Sequence, residues 1–226
     1  APHRDAHAER GGGMLMTEVR IPVGEIRLAG DRVFPENARG WVLFAHGSGS
    51  SRLSPRNRRV AGLLREAGFA TLLFDLLTEK EARFDAVTDR LRFDVGFLAG
   101  RLQAATQWLQ AETTGRDLPL GYFGASTGAA AALVAAGKSP GRVKAVVSRG
   151  GRPDLAGESL GRVRAPTLFI VGEYDQRVLD LNRVAAERLA VENRLEVVPQ
   201  AGHLFEEPGK LDAVASLAAD WFQRHL

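Results

Sequence analysis

A serine flanked by glycines is the residue of this sequence best placed to act as a nucleophile. Ser126 lies in Gly-Ala-Ser-Thr-Gly, between the apolar run 120–123 and the small-residue run 129–136. A G-x-S-x-G segment between a strand and a helix presents the serine hydroxyl at the tip of a sharp turn. The N–H groups of the following helix can then stabilise a developing oxyanion. The pattern predicts an acyl-transfer nucleophile; the alternative is a glycine-rich turn that only packs closely.

A serine nucleophile needs a base, which is usually a histidine. Of the five histidines, His3 and His7 lie near the N-terminus and His225 lies at the end of the chain. His203 follows the last predicted strand and precedes the last predicted helix, with Gly202 allowing a sharp turn. We therefore predict that His203 is the general base, the alternative being an ordinary structural histidine.

The acid that orients the base should follow a strand between these two residues. Asp175 lies 49 residues after Ser126 and 28 before His203, in the segment Gly-Glu-Tyr-Asp. The order Ser, Asp, His is the one that this strand–turn–helix nucleophile requires. Asp175 is the preferred acid, and Glu173 and Asp154 are its rivals.

A second glycine-rich loop, 45–51, follows the apolar run 41–45 and can supply an oxyanion hole. We predict donation from the backbone N–H of Ser48, with Gly47 as the alternative, and from the N–H of Thr127. His46 is interpreted as a structural residue that bonds to the backbone and holds this loop. A nucleotide-binding P-loop is disfavoured, because no lysine lies near either glycine-rich turn and no G-x-G-x-x-G is present.

Short apolar runs alternate with helical periodicity along most of the chain. The predicted strands are 19–21, 25–28, 41–45, 69–74, 120–123, 143–148, 166–171 and 194–198. The predicted helices are 57–67, 91–111, 129–136, 181–189 and 211–222, with a polar, charged stretch at 77–90. This alternation is typical of a mostly parallel α/β sheet with helices on both faces. The candidate residues all follow strands, at the edge where such sheets carry their chemistry.

The length and composition favour one globular domain. We expect it over 17–226, preceded by a flexible segment, 1–16, that is polar and glycine-rich and lacks the apolar core of a signal peptide. The chain has no cysteine, which excludes disulfides and cysteine metal sites, and a formal net charge of +3. No run approaches the about 20 apolar residues of a membrane span. We expect a cytoplasmic location, no membrane or nucleic-acid partner, no cofactor and no metal.

Arginine supplies nearly all the positive charge. Four arginines lie between Arg52 and Arg59, and we interpret them as a solvated helix face. Arg149 and Arg152 follow a predicted strand, so they are either carboxylate-binding residues or surface arginines near a turn.

The segments HGSGSS at 46–51, GASTG at 124–128, GEYD at 172–175 and AGHLFEEPG at 201–209 resemble the α/β-hydrolase superfamily, and within it the esterases related to dienelactone hydrolase. HGSGSS, SPRN and SRGGRPDL are also similar to hydrolase domains that some bacteria fuse to phosphoribosyltransferases. The resemblance implies a serine esterase of the α/β-hydrolase fold, without a cofactor and with Ser126, Asp175 and His203 as its triad. Dienelactone hydrolases use a nucleophilic cysteine, and Ser126 departs from that pattern.

These features predict a carboxylesterase acting on small or short-chain esters. Only 17 residues, 149–165, separate two predicted strands where many such enzymes insert a lid, so we expect an open site that 77–90 could wall on one side. A thioesterase, amidase, peptidase or perhydrolase using the same triad stays open. A ligand-binding homologue with little turnover also stays open.

Overall fold

The computed structural model describes residues 14–226. The flexible segment predicted over 1–16 therefore lies almost wholly outside the described residues, as do His3 and His7. The first strand begins at Met16, which is the last residue of that predicted segment.

Eight strands form one sheet in the described part of the chain. They are β1 (Met16–Val23), β2 (Ile26–Val33), β3 (Trp41–Ala45), β4 (Ala70–Phe74), β5 (Leu120–Ala125), β6 (Val143–Arg149), β7 (Thr167–Gly172) and β8 (Asn193–Val198). Their spatial order is β1-β2-β4-β3-β5-β6-β7-β8. β2 runs antiparallel to both β1 and β4, and all the other neighbours are parallel. The mostly parallel sheet predicted from the apolar runs is confirmed.

Helices cover both faces of the sheet. They are α1 (Pro55–Glu66), α2 (Glu79–Thr88), α3 (Val95–Ala111), α4 (Thr127–Lys138), α5 (Gln176–Arg188) and α6 (Lys210–His225). One core cluster joins α1 and α6 to one face, and a second joins α3, α4 and α5 to the other. Side chains of β3 and β5 belong to both clusters, so the strands that lead to Ser126 and to the 45–51 loop lie in the centre of the molecule.

Several predicted bounds are too short, most clearly those of β1 and β2, and three helices differ from the prediction for reasons that the structure shows. The stretch 77–90 contains α2, whose Thr78–Glu81 capping box starts a helix with little apolar periodicity. α3 begins at Val95 rather than at residue 91, because the Asp94 side chain accepts the Phe97 N–H. α5 begins at Gln176 rather than at residue 181, directly after Asp175 at its N-cap position.

The connection between β6 and β7 is short, as predicted, and carries a 3₁₀ segment (Pro153–Arg162) instead of a lid domain. None of the helices within residues 14–226 has both the length and the apolar character that a membrane crossing needs.

Candidate functional site

Ser126 occupies the sharp turn between β5 and α4, as its motif predicts. Its backbone lies at φ +53° and ψ −120°, a conformation that is unfavourable for a residue with a side chain. A Cβ on Gly124 would overlap the backbone of Ala129, and one on Gly128 would overlap the carbonyl oxygens of Ala45 and His46. The two glycines of the motif therefore let the turn close against its own helix and against the end of β3.

His203 and Asp175 are in direct contact. The distance between His203 Nδ1 and Asp175 Oδ2 is 2.5 Å. The Asp175 side chain is 15% exposed and that of His203 is 40% exposed, so the carboxylate lies beneath an accessible imidazole. A Cβ on Gly172 would overlap the carbonyl oxygens of Ala201 and Gly202, so the loop that carries His203 packs directly on the end of β7. That close approach brings together two residues 28 positions apart.

The two rival acids have other partners. Glu173 Oε2 accepts the N–H of Gln200 at 2.7 Å. Both oxygens of Asp154 accept hydrogen bonds from Arg152, at 2.9 and 2.8 Å, and these bonds lower the pKa of Asp154. Of the three candidate acids, only Asp175 contacts His203.

The loop after β3 lies beside the serine turn. Ser48 Oγ and Thr127 Oγ1 are 2.8 Å apart, and Thr127 is buried at the start of α4. Within residues 14–226, neither the Ser48 N–H nor the Thr127 N–H donates to a backbone carbonyl in a turn or loop. The two residues of the predicted oxyanion pair are therefore in contact through their side chains, and the role of their N–H groups stays a prediction.

His46 holds this loop by two hydrogen bonds to the backbone. Its Nε2 accepts the Leu76 N–H at 3.0 Å, and its Nδ1 lies 2.9 Å from the carbonyl oxygen of Gly47. The neutral imidazole with the proton on Nδ1 satisfies both bonds. Burial lowers the pKa of His46 below its ordinary value, because water cannot solvate the charged ring. The structural role predicted for His46 is confirmed.

The lowered pKa of His46 predicts a pH-dependent stability. The unfolded chain binds a proton at His46 near pH 6.5, whereas the folded chain does so only at lower pH. The contribution of His46 to the free energy of unfolding is therefore complete above about pH 6.5 and falls as the pH drops below that value. One proton gives a slope of at most about 1.4 kcal/mol per pH unit. We expect urea denaturation from pH 7.5 to 5.0 to show a shallower decline for His46→Gln than for the wild type.

Ser126→Ala serves as the control for that measurement and should keep the wild-type slope. If the free energy of unfolding fell with pH equally steeply in His46→Gln and in the wild type, the acid sensitivity would come from other groups.

Comparison with known proteins identifies the family. The dienelactone hydrolase family model matches residues 35–226. The chain belongs to the dienelactone hydrolase family. A dienelactone hydrolase from Anabaena variabilis is similar at 56% identity, with a TM-score of 0.93, over 95% of this chain and 100% of that one. A cold-adapted esterase from an Arctic intertidal metagenomic library shares the fold at 18% identity, with a TM-score of 0.74, over 96% of this chain and 98% of that one.

Two Mycobacterium tuberculosis relatives are longer than this family member. They carry a provisional phosphoribosyl transferase name and are 58% identical over 209 residues, which is 92% of this chain and 46% of theirs. The chain therefore spans about half the length of the curated relatives that it matches.

Two cavities meet at the 45–51 loop, where the oxyanion donors are predicted. The smaller, about 140 Å³, is lined by Ser126, His203, Asn57, Arg56 and Arg149 among others. The larger, about 830 Å³, is lined by Thr127 and by much of 77–86 but by neither Ser126 nor His203, so the segment 77–90 walls this second cavity and not the one around Ser126. Both cavities share Gly47, Ser48 and Ser50. Among the described residues, no three His, Asp or Glu side chains are grouped so as to hold a metal ion.

Two of the four arginines in 52–59 are not part of the solvated helix face that the sequence predicted. Arg58 and Arg59 are exposed as expected, but Arg52 pairs with Asp75 through a 2.8 Å bond and lines the larger cavity. Arg56 lines the smaller cavity, so the solvated-face prediction is wrong for Arg52 and Arg56.

The sequence left Arg149 open between a carboxylate-binding residue and a surface arginine, and the structure shows that it is buried. It is 6% exposed, and its Nη2 donates to Asn57 Oδ1 at 3.3 Å. Arg152, by contrast, is half-buried, paired with Asp154 and absent from the lining of both cavities. The sequence pattern around an arginine that follows a strand does not show whether the side chain is buried. Nothing in the sequence around Asn57 indicates that it contacts Arg149.

Proposed function

We propose that the chain is a carboxylesterase that cleaves small or short-chain esters through an acyl-enzyme on Ser126. The observation that carries the proposal is the Asp175–His203 contact, made at the wall of the same cavity that Ser126 lines. A carboxylate that holds an imidazole beside a serine on a strained turn is the arrangement that activates a serine hydroxyl. The esterase and dienelactone hydrolase names among similar structures agree with this reaction class.

In the proposed mechanism, Asp175 accepts the Nδ1–H of His203, so that Nε2 is left as the base. His203 takes the Ser126 proton while Oγ attacks the ester carbonyl carbon, and the carbonyl π electrons move onto oxygen. The N–H groups of Ser48 and Thr127 stabilise this oxyanion. The carbonyl then re-forms, and the alcohol leaves with the proton held by His203. Water, deprotonated by His203, hydrolyses the acyl-enzyme and restores Ser126.

The serine affects the choice of substrate. The chain has no cysteine, whereas dienelactone hydrolases use a cysteine nucleophile, so we propose simple esters rather than dienelactone as the substrate. The cavity around Ser126 has about 140 Å³, close to the roughly 150 Å³ of an engineered cavity that holds benzene. That volume fits an acyl group of a few carbon atoms and no long lipid chain.

The test is hydrolysis of p-nitrophenyl acetate, butyrate and octanoate, with intact mass measured after treatment with a fluorophosphonate probe. We expect turnover that falls from butyrate to octanoate and a single adduct on Ser126. Thioester and anilide analogues in the same assay distinguish a thioesterase or amidase that uses the same residues. Neither turnover nor an adduct on any of these compounds would overturn the enzymatic proposal and favour a ligand-binding homologue.

A further inference from the structure

Arg149 lies beside Ser126, and its side chain has no acidic partner in the described part of the chain. Its carbonyl oxygen accepts the Ser126 N–H at 3.2 Å, and Arg149 lines the cavity that Ser126 and His203 share. Its guanidinium carbon lies 5.9 Å from the centre of the Phe205 ring. Within residues 14–226, Arg149 Nε is buried without a hydrogen-bond partner, and no carboxylate pairs with this side chain.

A second arginine adds positive charge to the same cavity. Arg56 Nε is also buried without a partner in the described residues, and the carboxylate nearest to its guanidinium is that of Glu206, 3.9 Å away. Burial, and then the charge of Arg56, lower the pKa of Arg149 to about 10, so Arg149 stays protonated at neutral pH. Removing a charged group from water without an opposite charge is costly, and an anion entering the cavity would offset that cost.

The remaining wall suits a compact oxyanion. Ser50 and Ser54 line the cavity, and Ser54 caps the N-terminus of the twelve-residue helix α1, where backbone dipoles favour negative charge. Asn57, 2% exposed, directs its Oδ1 to Arg149 and so orients the guanidinium. The volume of about 140 Å³ admits a carboxylate or phosphate group together with a short linker.

We propose that the substrate carries a compact anionic group, carboxylate or phosphate, which Arg149 and Arg56 bind next to Ser126. This inference rests on the proposed esterase function and narrows its substrate class. The ester carbonyl lies at Ser126, the anionic group occupies the small cavity, and the other part of the ester extends past Ser48 into the larger cavity.

Anion binding can be measured without turnover. Calorimetric titration of the wild type with inorganic phosphate, and separately with succinate, should detect binding that is at least about tenfold weaker in Arg149→Met, because a charge-assisted pair is lost. Arg152→Met is the matched control, since this arginine lies on the same turn but is paired with Asp154. The anion that binds more tightly identifies the group as phosphate or carboxylate. Equal binding by all three proteins, or none by the wild type, would overturn the inference.

Turnover then tests the substrate class. Wild-type kcat/KM should be at least about tenfold higher for monoethyl succinate or ethyl 3-phosphonopropionate than for the neutral ethyl methyl succinate. Arg149→Met should lower kcat/KM at least about 30-fold more for the charged esters than for the neutral one, so the ratio of the two values is the readout. If Arg149→Met does not fold, Arg56→Met is tested in the same way and should also lose activity selectively on the charged esters.

The two proposals fail in different ways. Hydrolysis of neutral esters with no preference for charge overturns the anion site and leaves the esterase. Binding of phosphate or succinate through Arg149, with no ester hydrolysed and no adduct on Ser126, overturns the esterase and leaves the anion site.

Discussion

Replacement of Ser126 by alanine is expected to lower kcat/KM for p-nitrophenyl acetate by about 10⁴–10⁶, because it removes the proposed nucleophile. The loss should fall on kcat, since the cavity that receives the acyl group keeps its shape. The fluorophosphonate adduct should disappear in the same variant, which intact mass measures directly. Thermal unfolding should be little changed, because alanine and serine occupy the same strained backbone conformation.

Ser148→Ala is the matched control for that loss. Ser148 is the penultimate residue of β6 and is fully buried. Its Oγ has no hydrogen-bond partner among the described residues. Its removal should leave kcat/KM within about threefold, since among the described residues its Oγ hydrogen-bonds to neither the imidazole nor the proposed oxyanion donors. Residual activity of Ser126→Ala near the wild-type rate, or an adduct on another residue, would show that the nucleophile lies elsewhere.

The order of elements made the placement of the candidate residues predictable from sequence. In a parallel sheet, the segments that follow the strands meet at one edge, so Ser126, Asp175 and His203 could be placed together without knowledge of any distance. The glycines of the serine turn carried most of this information, because only glycine tolerates the approach of α4 and of the β3 carboxyl end. The Nδ1–Oδ2 contact then distinguishes Asp175 from Asp154, which spacing alone had left open.

The less predictable features depend on packing between distant segments. Arg149 and Asn57 are 92 residues apart, and nothing in either segment indicates that the amide meets the guanidinium. Helix α2 escaped prediction because only Asp85 among its residues is buried, so its stability comes from caps and ion pairs rather than from an apolar face. Local pattern therefore located the proposed reacting groups, whereas the charge of the cavity beside them emerged only from the folded chain.

Asp175→Asn is expected to lower kcat by about 10⁴ while KM stays within about threefold. The amide cannot balance the charge of a protonated imidazole, and when its NH₂ faces His203 it holds the proton on Nε2, where the ring cannot accept one from Ser126. Because Asp175 does not line the cavity around Ser126, substrate binding should persist. Steady-state kinetics with p-nitrophenyl butyrate separates kcat from KM and provides this test.

Asp154→Asn is the matched control, and it is expected to keep its activity. Asp154 is bound by Arg152, and a partly exposed ion pair of this kind contributes about 0–1 kcal/mol to the free energy of unfolding. Its replacement should therefore leave kcat within about threefold and shift the urea midpoint only slightly. If Asp154→Asn lost activity and Asp175→Asn kept it, the orienting acid would be Asp154, and the His203–Asp175 contact would be structural. Loss in Asp175→Asn alone would instead show that the acid working with His203 is the one that His203 touches.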